Sequence, residues 1–497
     1  MEQETIVAKS SLAEGNRQFP SFESSQSCVP LVVDLDGTLV RTDLLIECLV
    51  ALLKHDPLYV FALPFWLLKG KAAFKHEIAR RISLDPGLIP YRSELVEYLR
   101  TQRAQGRVVV LATGSDERVA RQVADHLKVF NSVLASDGAT NLSGERKRER
   151  LVHEFGERGF DYAGNGSGDM PVWSSARRAV VVNPNQQSVR AVARVTQVQG
   201  VIEDRRAGLG EYLNALRPLH WLKNLLVFVP LFAAHRFDEP ALMGKAMLAF
   251  IAFCLCASSG YLFNDLFDLL ADRSHPQKCL RPFAAGRLPL SYALVMIPIL
   301  VVLGCVLGVF VSRTLIGMLL LYFALTLTYS LYIKKVVLLD VIVLAGLYTL
   351  RILAGSAAVA IWPSEWLLAF SMFLFLSLAF VKRYDELVVM RSVDGDQAKA
   401  RGYEASDAEL LASKGTASGY MAVLVLALYI NSGTAKALYG RHEFIWVLCP
   451  LLLYWIGRMW LVAHRGKMRD DPVVFALRDQ TSRVLILLML GTVLLAI

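Results

Sequence analysis

From about Leu222 to its last residue, this chain repeats long apolar runs free of charge, while residues 1–215 carry the mixed patterning of a water-soluble domain. A helix crosses a hydrocarbon core with about 17–25 apolar residues, and only helices and closed barrels satisfy every backbone polar group there. Apolar residues make up 54% of the chain and its mean hydropathy is +0.41, both above the usual soluble range. A length of 497 residues suggests about three average domains. The apolar runs instead divide the chain into a soluble N-terminal part and an integral membrane part.

Candidate spans lie near 222–235, 242–266, 291–311, 314–333, 336–357, 365–381, 416–435, 442–463 and 483–497, nine helices with the first and last short. Lys and Arg concentrate in the loops near 267–290, 382–415 and 464–483, with Lys334 and Lys335 on the same side, so these loops are expected to be cytoplasmic. The first 27 residues are polar, have no apolar core of a signal peptide and are expected to be disordered. The soluble part is therefore expected in the cytoplasm, the spans in the bacterial inner (plasma) membrane and the C-terminus outside. Seven cysteines show no metal or disulfide spacing, which fits a reducing compartment. The net charge of +9 suits cytoplasmic loops against anionic lipid. In the absence of any recognition module, nucleic acid is not an expected partner.

The second span runs into "NDLFDLLADRSHPQKCLRPFAAGRL". Asp265, Asp268 and Asp272 stand at i, i+3 and i+7 with Asn264 beside them, so a continuous helix of about 3.6 residues per turn places the three acids on one face. Like charges so placed repel unless a cation sits among them, and oxygen ligands without Cys or His favour Mg²⁺ bridging to phosphates. Lys278, Arg281 and Arg287 follow, the type of residue a diphosphate needs. The alternative is a solvated, charged helix end.

"NDLFDLLAD" followed by "HPQKCLRPFAAGRL" resembles the first aspartate-rich motif of the UbiA superfamily of intramembrane transferases, a resemblance covering roughly residues 210–497. It implies a nine-helix all-α membrane fold in which Mg²⁺ on Asn264, Asp265, Asp268 and Asp272 stabilises a diphosphate leaving a carbon centre. A prenyl transferase would carry a second paired-acid motif, yet in "YSLYIKKVVLLDVIVLAGLYTLRILAG" Asp340 has Leu344 at i+4. With "LRPLHWLKNLLVFVP", "FVKRYDEL", "RGY" and "RDDPVVFALRD", the sequence looks like the branch typified by decaprenyl-phosphate phosphoribosyltransferase. That branch implies phosphoribosyl diphosphate as donor and a polyprenyl phosphate as acceptor.

Two polyanions side by side demand extra basic groups. The candidates are Arg217, Lys223, Lys278, Arg281, Lys334, Lys335, Arg351, Lys382, Arg383 and Arg458, with Asp340 among them. Lys382 and Arg383 read equally as interfacial side chains reaching for water. Trp221, Tyr261 and Tyr329 read as interface anchors or core.

In the soluble part, the apolar "VPLVV" reads as a buried strand ending in Asp34, Asp36, Gly37 and Thr38. Acids at the carboxyl end of a parallel strand sit where open α/β sheets bind ligands. The DxDGT pattern, with "RVVVLATGS", "GERKRERL" and "FDYAGNGSGDMPVW", resembles the haloacid dehalogenase (HAD) phosphohydrolases over roughly residues 28–200. The resemblance implies a Rossmann-like parallel sheet and a small helical cap at about 43–100. It makes Asp34 the nucleophile, Asp36 the acid and base, Thr113 and Lys147 the phosphoryl ligands, and Asp34, Asp36, Asn165 and Asp169 the Mg²⁺ site. Lys147 is fixed only to within a residue, because Arg146 and Arg148 flank it. Asn165 stands where the family usually has an acid, so weaker metal binding or a degenerate, scaffold role is the alternative. The apolar "FALPFWLL" of the cap reads also as a segment lying against the membrane.

Joined by a linker at 201–215 to a membrane domain at 216–497, the two parts suggest consecutive steps. The membrane site would make polyprenyl-phosphoryl 5-phosphoribose and the soluble site would remove its 5-phosphate. The alternatives are an aromatic or quinone prenyltransferase with a regulatory or degenerate HAD domain, and a non-catalytic membrane scaffold. The sequence leaves the oligomeric state unknown.

Overall fold

A computed structural model describes the chain except residues 1–28, 184–185, 205–206, 276, 395–398, 401 and 469–470. The polar N-terminal 27 residues, expected to be disordered, lie outside the described residues. The chain forms two compact units, one containing Leu269–Leu290 together with the chain up to Ala207, the other Gly208–Asp268 and Ser291–Ile497.

The N-terminal unit is built on a six-stranded sheet of β1 (Leu31–Val33), β2 (Val109–Asp116), β3 (Ser132–Ser136), β4 (Asp161–Gly164), β5 (Arg178–Val182) and β6 (Gln197–Ile202). Its order is β3-β2-β1-β4-β5-β6 and every pairing is parallel. Strands buried on both faces need continuous apolar runs, which "LVV" and "VVLA" supply. The period of two sorts them: Leu31, Val33 and Leu111 pack on one side of the sheet, Val32, Val110 and Ala112 on the other. The order reverses at β1, so the carboxyl ends of β1, β2 and β4 form the crevice where such sheets bind ligands.

Between β1 and β2 the insertion folds as helices Leu44–His55, Leu63–Leu68 and Lys71–Ala79, followed by Ser93–Ala104. Asp43 caps the first by accepting from the Ile46 amide at 3.2 Å. The stretch Leu269–Leu290, assigned from sequence to the 216–497 domain, belongs to this same unit. Within it the Arg273 guanidinium donates to both Glu47 oxygens at 2.8 and 2.6 Å, and Thr42 Oγ1 donates to Glu47 at 2.5 Å. Both charges are buried, and each would be strongly destabilising there without the other.

The second unit is helical. Among the described residues, seven helices are long and apolar enough to cross a membrane, or eight if Pro472–Arg478 and Gln480–Ala496, bent by 84°, count as one. Their outward faces expose Leu303, Leu320, Leu424 and Leu487, as lipid contact requires and water contact would not. The nine spans expected from sequence differ at both ends. The first, Pro218–Ala233, is a shorter apolar segment that runs as a 3₁₀ helix to Phe228. The last is broken at Asp479, which caps the helix after it by accepting from the Ser482 amide at 2.8 Å.

Gly355, in helix Leu339–Val359, sits so close to the 218–228 segment that a Cβ would lie 2.0 Å from the Val227 carbonyl oxygen. The obstacle is backbone and has no rotamer to yield. Gly355→Ala is expected to lower stability by about 1–3 kcal/mol through overpacking, read as an earlier thermal transition of the detergent-solubilised protein.

Candidate active sites, one in each unit

In the N-terminal unit, β1 is followed directly by Asp34, whose buried carboxylate accepts from Lys147 Nζ at 2.7 Å and from Thr38 Oγ1 at 3.3 Å. Lys147 projects from helix Glu145–Phe155; Arg146 is exposed, and Arg148 pairs with Glu145 and Ser175 instead. Lys147 also donates to Tyr162 Oη at 3.1 Å and lies 3.8 Å from Asp169, to which Tyr162 donates at 2.7 Å. The other Asp169 oxygen accepts the amides of Asn165 and Gly166 at 3.0 and 3.3 Å. Asp36 accepts from the Leu44 amide at 2.8 Å and from Ser115 Oγ at 2.5 Å. Thr113 is fully buried on β2 and receives the Ser115 amide at 3.0 Å, leaving its hydroxyl proton to donate. Gly37 adopts φ +73°, and a Cβ there would lie 2.2 Å from Asn165 Nδ2, so glycine lets Asn165 close over the loop.

The charges in this crevice do not balance. Asp34 and Asp169 face one lysine, and burial first, then Asp169, push the Asp34 carboxyl above its ordinary range against the pull of Lys147. Burial alone would lower Lys147, but the charges of Asp34 and Asp169 outweigh it and raise the ammonium. Excess buried negative charge on oxygen ligands suits a divalent hard cation, so Asp34, Asp169 and Asn165 fit Mg²⁺. Burial and then the Asp43 charge push Asp36 up to about 7, the poise of a group that keeps a proton for a leaving oxygen near neutral pH. Tyr162 and Ser115, which bind Asp169 and Asp36, escaped the sequence reading; Ser115 lies two residues past the recognised Thr113.

In the membrane unit, helix Pro240–Phe267 carries Asn264 and Asp265 on its last turn and stops at Asp268, whose amide donates to the Asn264 carbonyl at 2.9 Å. Asp272 lies on a separate short helix, Leu269–Ser274. The expectation of three acids along one continuous helix face is therefore corrected. Mutual repulsion disfavours such a face, and ending the helix lets each acid meet its own cation. Arg217 donates to Asp265, Lys334 to Asp268, and Arg281 to Asp272 at 2.6 Å. Asp272, Arg281 and the half-buried Lys278 fold with the N-terminal unit. Among the described residues no group of three or more acids, histidines and cysteines stands ready for a metal. Asp265 and Asp268 remain an all-oxygen pair suited to Mg²⁺, which commonly takes one or two carboxylates and completes its shell with water and substrate phosphates.

The basic candidates divide into separate groups. Lys223 and Lys382 both reach Asp471, at 2.7 and 3.1 Å, and Tyr348 Oη donates to it at 3.2 Å. Beside Tyr348, the buried Arg351 donates to Asn224 Oδ1 at 2.8 Å and to Tyr322 Oη at 2.9 Å, with its guanidinium 5.5 Å from the Tyr348 ring centroid. His220 lies within the electrostatic reach of Arg217, Lys223, Lys382 and Asp471, and its ring is 5.3 Å from that of Tyr261. Trp221 donates to Ser258 at 2.9 Å, which makes it a packing residue of this unit.

Other candidates are placed elsewhere. Arg383 is buried and donates to Asp340, Glu386 and Tyr329, while Tyr403 donates to Asp340 at 2.6 Å. The interfacial reading of Arg383 is thereby corrected, and Asp340 is taken up by protein donors. Arg458 pairs with the helix-capping Asp479 at 2.6 and 2.9 Å. Lys335 is exposed, unlike the buried Lys334.

The chain matches the UbiA prenyltransferase family over residues 225–496 and the haloacid dehalogenase-like hydrolases over residues 31–172. It is 34% identical over 457 residues to the uncharacterized protein y4nM of Sinorhizobium fredii, covering 91% of this chain and 88% of that one. The nodulation protein NoeC of Azorhizobium caulinodans is 39% identical over 283 residues, 57% of this chain and 92% of its own. A decaprenyl-phosphate phosphoribosyltransferase of Mycolicibacterium smegmatis is 30% identical over 289 residues, 56% of this chain and 90% of its own.

Proposed function

The chain belongs to the UbiA prenyltransferase family, is related within it to decaprenyl-phosphate phosphoribosyltransferases, and carries a haloacid dehalogenase-like domain at its N-terminus; on that premise we propose that it makes a ribosylated polyprenyl phosphate in two steps. In the first, a phosphate oxygen of a membrane polyprenyl phosphate bonds to C1 of phosphoribosyl diphosphate as the bond from C1 to the diphosphate oxygen breaks. In the second, the 5-phosphate of the product is hydrolysed in the N-terminal unit. Both sites are proposed to face the cytoplasm across a bacterial inner membrane.

The observation that carries the first step is the surplus of positive charge in the membrane unit. Among the described residues, Lys223 and Lys382 share the one carboxylate of Asp471, and Arg351 lies beyond it against the Tyr348 ring. Surplus cationic charge in a low-dielectric interior needs an anion to balance it. An enzyme that joins two polyanions provides one. Asp265 and Asp268 are proposed to hold Mg²⁺, which when bound would neutralise charge developing on the departing diphosphate. Arg217 and Lys334 orient those two carboxylates. The acceptor phosphate is already an anion and needs no general base.

In the second step Asp34 attacks phosphorus as the bond to the ribose 5-oxygen breaks, and Asp36 gives that oxygen its proton. Asp36 then takes a proton from the water that cleaves the aspartyl phosphate. Lys147 and Thr113 hold the phosphoryl oxygens, and Asp34, Asp169 and Asn165 are proposed to hold the second Mg²⁺.

Lys223→Met removes one of the cations grouped at Asp471 while keeping the length of the side chain. Losing one charge-assisted bond of about 1.5–3 kcal/mol should raise KM for an anionic substrate roughly tenfold to a hundredfold, with a smaller change in kcat. Pyrophosphate release by the purified full-length protein with Mg²⁺ tests both this and the reaction. Release should require phosphoribosyl diphosphate and polyprenyl phosphate together; release with neither or with only one would refute the transfer.

A further inference from the structure

The insertion of the N-terminal unit presents an apolar surface that its own core does not use. Leu58, Phe61, Phe65 and Leu68 are 70, 72, 67 and 85% exposed. With Val60 and Leu67 they account for six of the nine exposed large hydrophobic side chains among the described residues of that unit. An apolar patch concentrated on one element marks a contact surface, whereas scattered exposed leucines need no explanation.

The patch is braced from behind. Trp66, between Phe65 and Leu67, turns inward and is 8% exposed, its ring 5.7 Å from that of Tyr59 and 4.4 Å from the Arg81 guanidinium. Asp56 caps the first turn by accepting from the Leu58 amide at 2.9 Å, and Pro57 and Pro64 start the two short helices. Inward anchoring of one aromatic forces its neighbours out, so the exposure of Phe65, Leu67 and Leu68 is a property of the folded element.

The charges around the patch choose its partner. No acid occurs between Asp56 and Glu77, whereas Lys69 and Lys71 are exposed at the end of the apolar run. An apolar face edged by lysines matches the interface of an anionic bilayer, with the rings among the upper acyl chains and the ammonium groups at the phosphates. The chain is a multi-pass membrane protein, so a bilayer is present wherever this unit is folded.

We propose that the surface formed by Leu58, Phe61, Phe65 and Leu68 is seated in the interfacial region of an anionic lipid bilayer, making the N-terminal unit a membrane-bound domain in its own right. The inference depends on the exposure and charge of this segment and is independent of the reaction at either site.

Spin labelling of the full-length protein in vesicles of phosphatidylglycerol and phosphatidylethanolamine tests it. The label is placed at Leu68→Cys and, for reference, at Val108→Cys, an exposed position of the same unit, with the signal of the unsubstituted protein subtracted. The label at 68 should be severalfold more accessible to oxygen than to a polar nickel chelate, and the label at 108 should show the reverse. Nickel access at 68 equal to that at 108 would place the patch in water and overturn the proposal. Low access to both reagents at 68 would place it against protein and overturn it equally. Lys69→Glu with Lys71→Glu should reduce the preference for oxygen at 68 in these vesicles; no change would remove the anionic headgroups from the account.

Discussion

Asp265→Asn should reduce transfer of the phosphoribosyl group by about 10²–10³-fold, the usual cost of removing one preorganised electrostatic element from a site where charge develops. Asp265 is nearly fully buried and bound by Arg217. The substitution keeps the shape but removes the charge that balances the arginine and would hold the metal. The loss should fall on kcat, because the leaving diphosphate carries more charge in the transition state than in the ground state. Raising Mg²⁺ should restore part of the rate if affinity for the ion is the quantity lost. A full rate in Asp265→Asn at ordinary Mg²⁺ would remove this carboxylate from the chemistry. Steady-state kinetics across a Mg²⁺ series, with circular dichroism to show that the helices persist, decides the matter.

Asp34→Asn should abolish phosphate release from the lipid product, by roughly 10⁴-fold or more, because removal of a covalent nucleophile disables the whole catalytic unit. An amide cannot form the aspartyl phosphate. The same change leaves Lys147 facing Asp169 at 3.8 Å, so the crevice keeps an ion pair and the unit should fold. Phosphoribosyl transfer should continue at its normal rate. The lipid should then accumulate with its 5-phosphate in place, detected by mass spectrometry as one added phosphate group. Phosphate release unchanged by the substitution would assign the hydrolysis to another site or make the N-terminal unit a scaffold.

Features carried by local patterning were legible in the sequence. The strand leading into Asp34 needed only "VPLVVDLDGT", and the burial of Lys147 against it follows from a motif of known order. The membrane helices announced themselves by length and by absence of charge. The form of the two end segments is not legible for a physical reason: apolar composition does not report a 3₁₀ segment or an 84° bend. The partners of the basic residues were hidden as well. Arg458 meets Asp479 and Arg383 meets Asp340, 21 and 43 positions away along the chain, and such pairings depend on how helices pack. Asp471 stood in plain view within "RDDPVVFALRD", but the sequence gives no sign that Lys223 and Lys382 converge on it. The break after Asp268 was likewise invisible, because "NDLFDLLAD" contains no glycine or proline to end a helix.

The most direct test of the central claim is transfer of radiolabelled phosphoribosyl from its diphosphate to an extractable polyprenyl phosphate by the purified full-length protein with Mg²⁺. The proposed function predicts labelled lipid that requires the polyprenyl phosphate, disappears in Asp265→Asn, and retains its 5-phosphate in Asp34→Asn. No labelled lipid from the native protein, together with activity on a prenyl diphosphate, would contradict the claim and leave a prenyltransferase in its place.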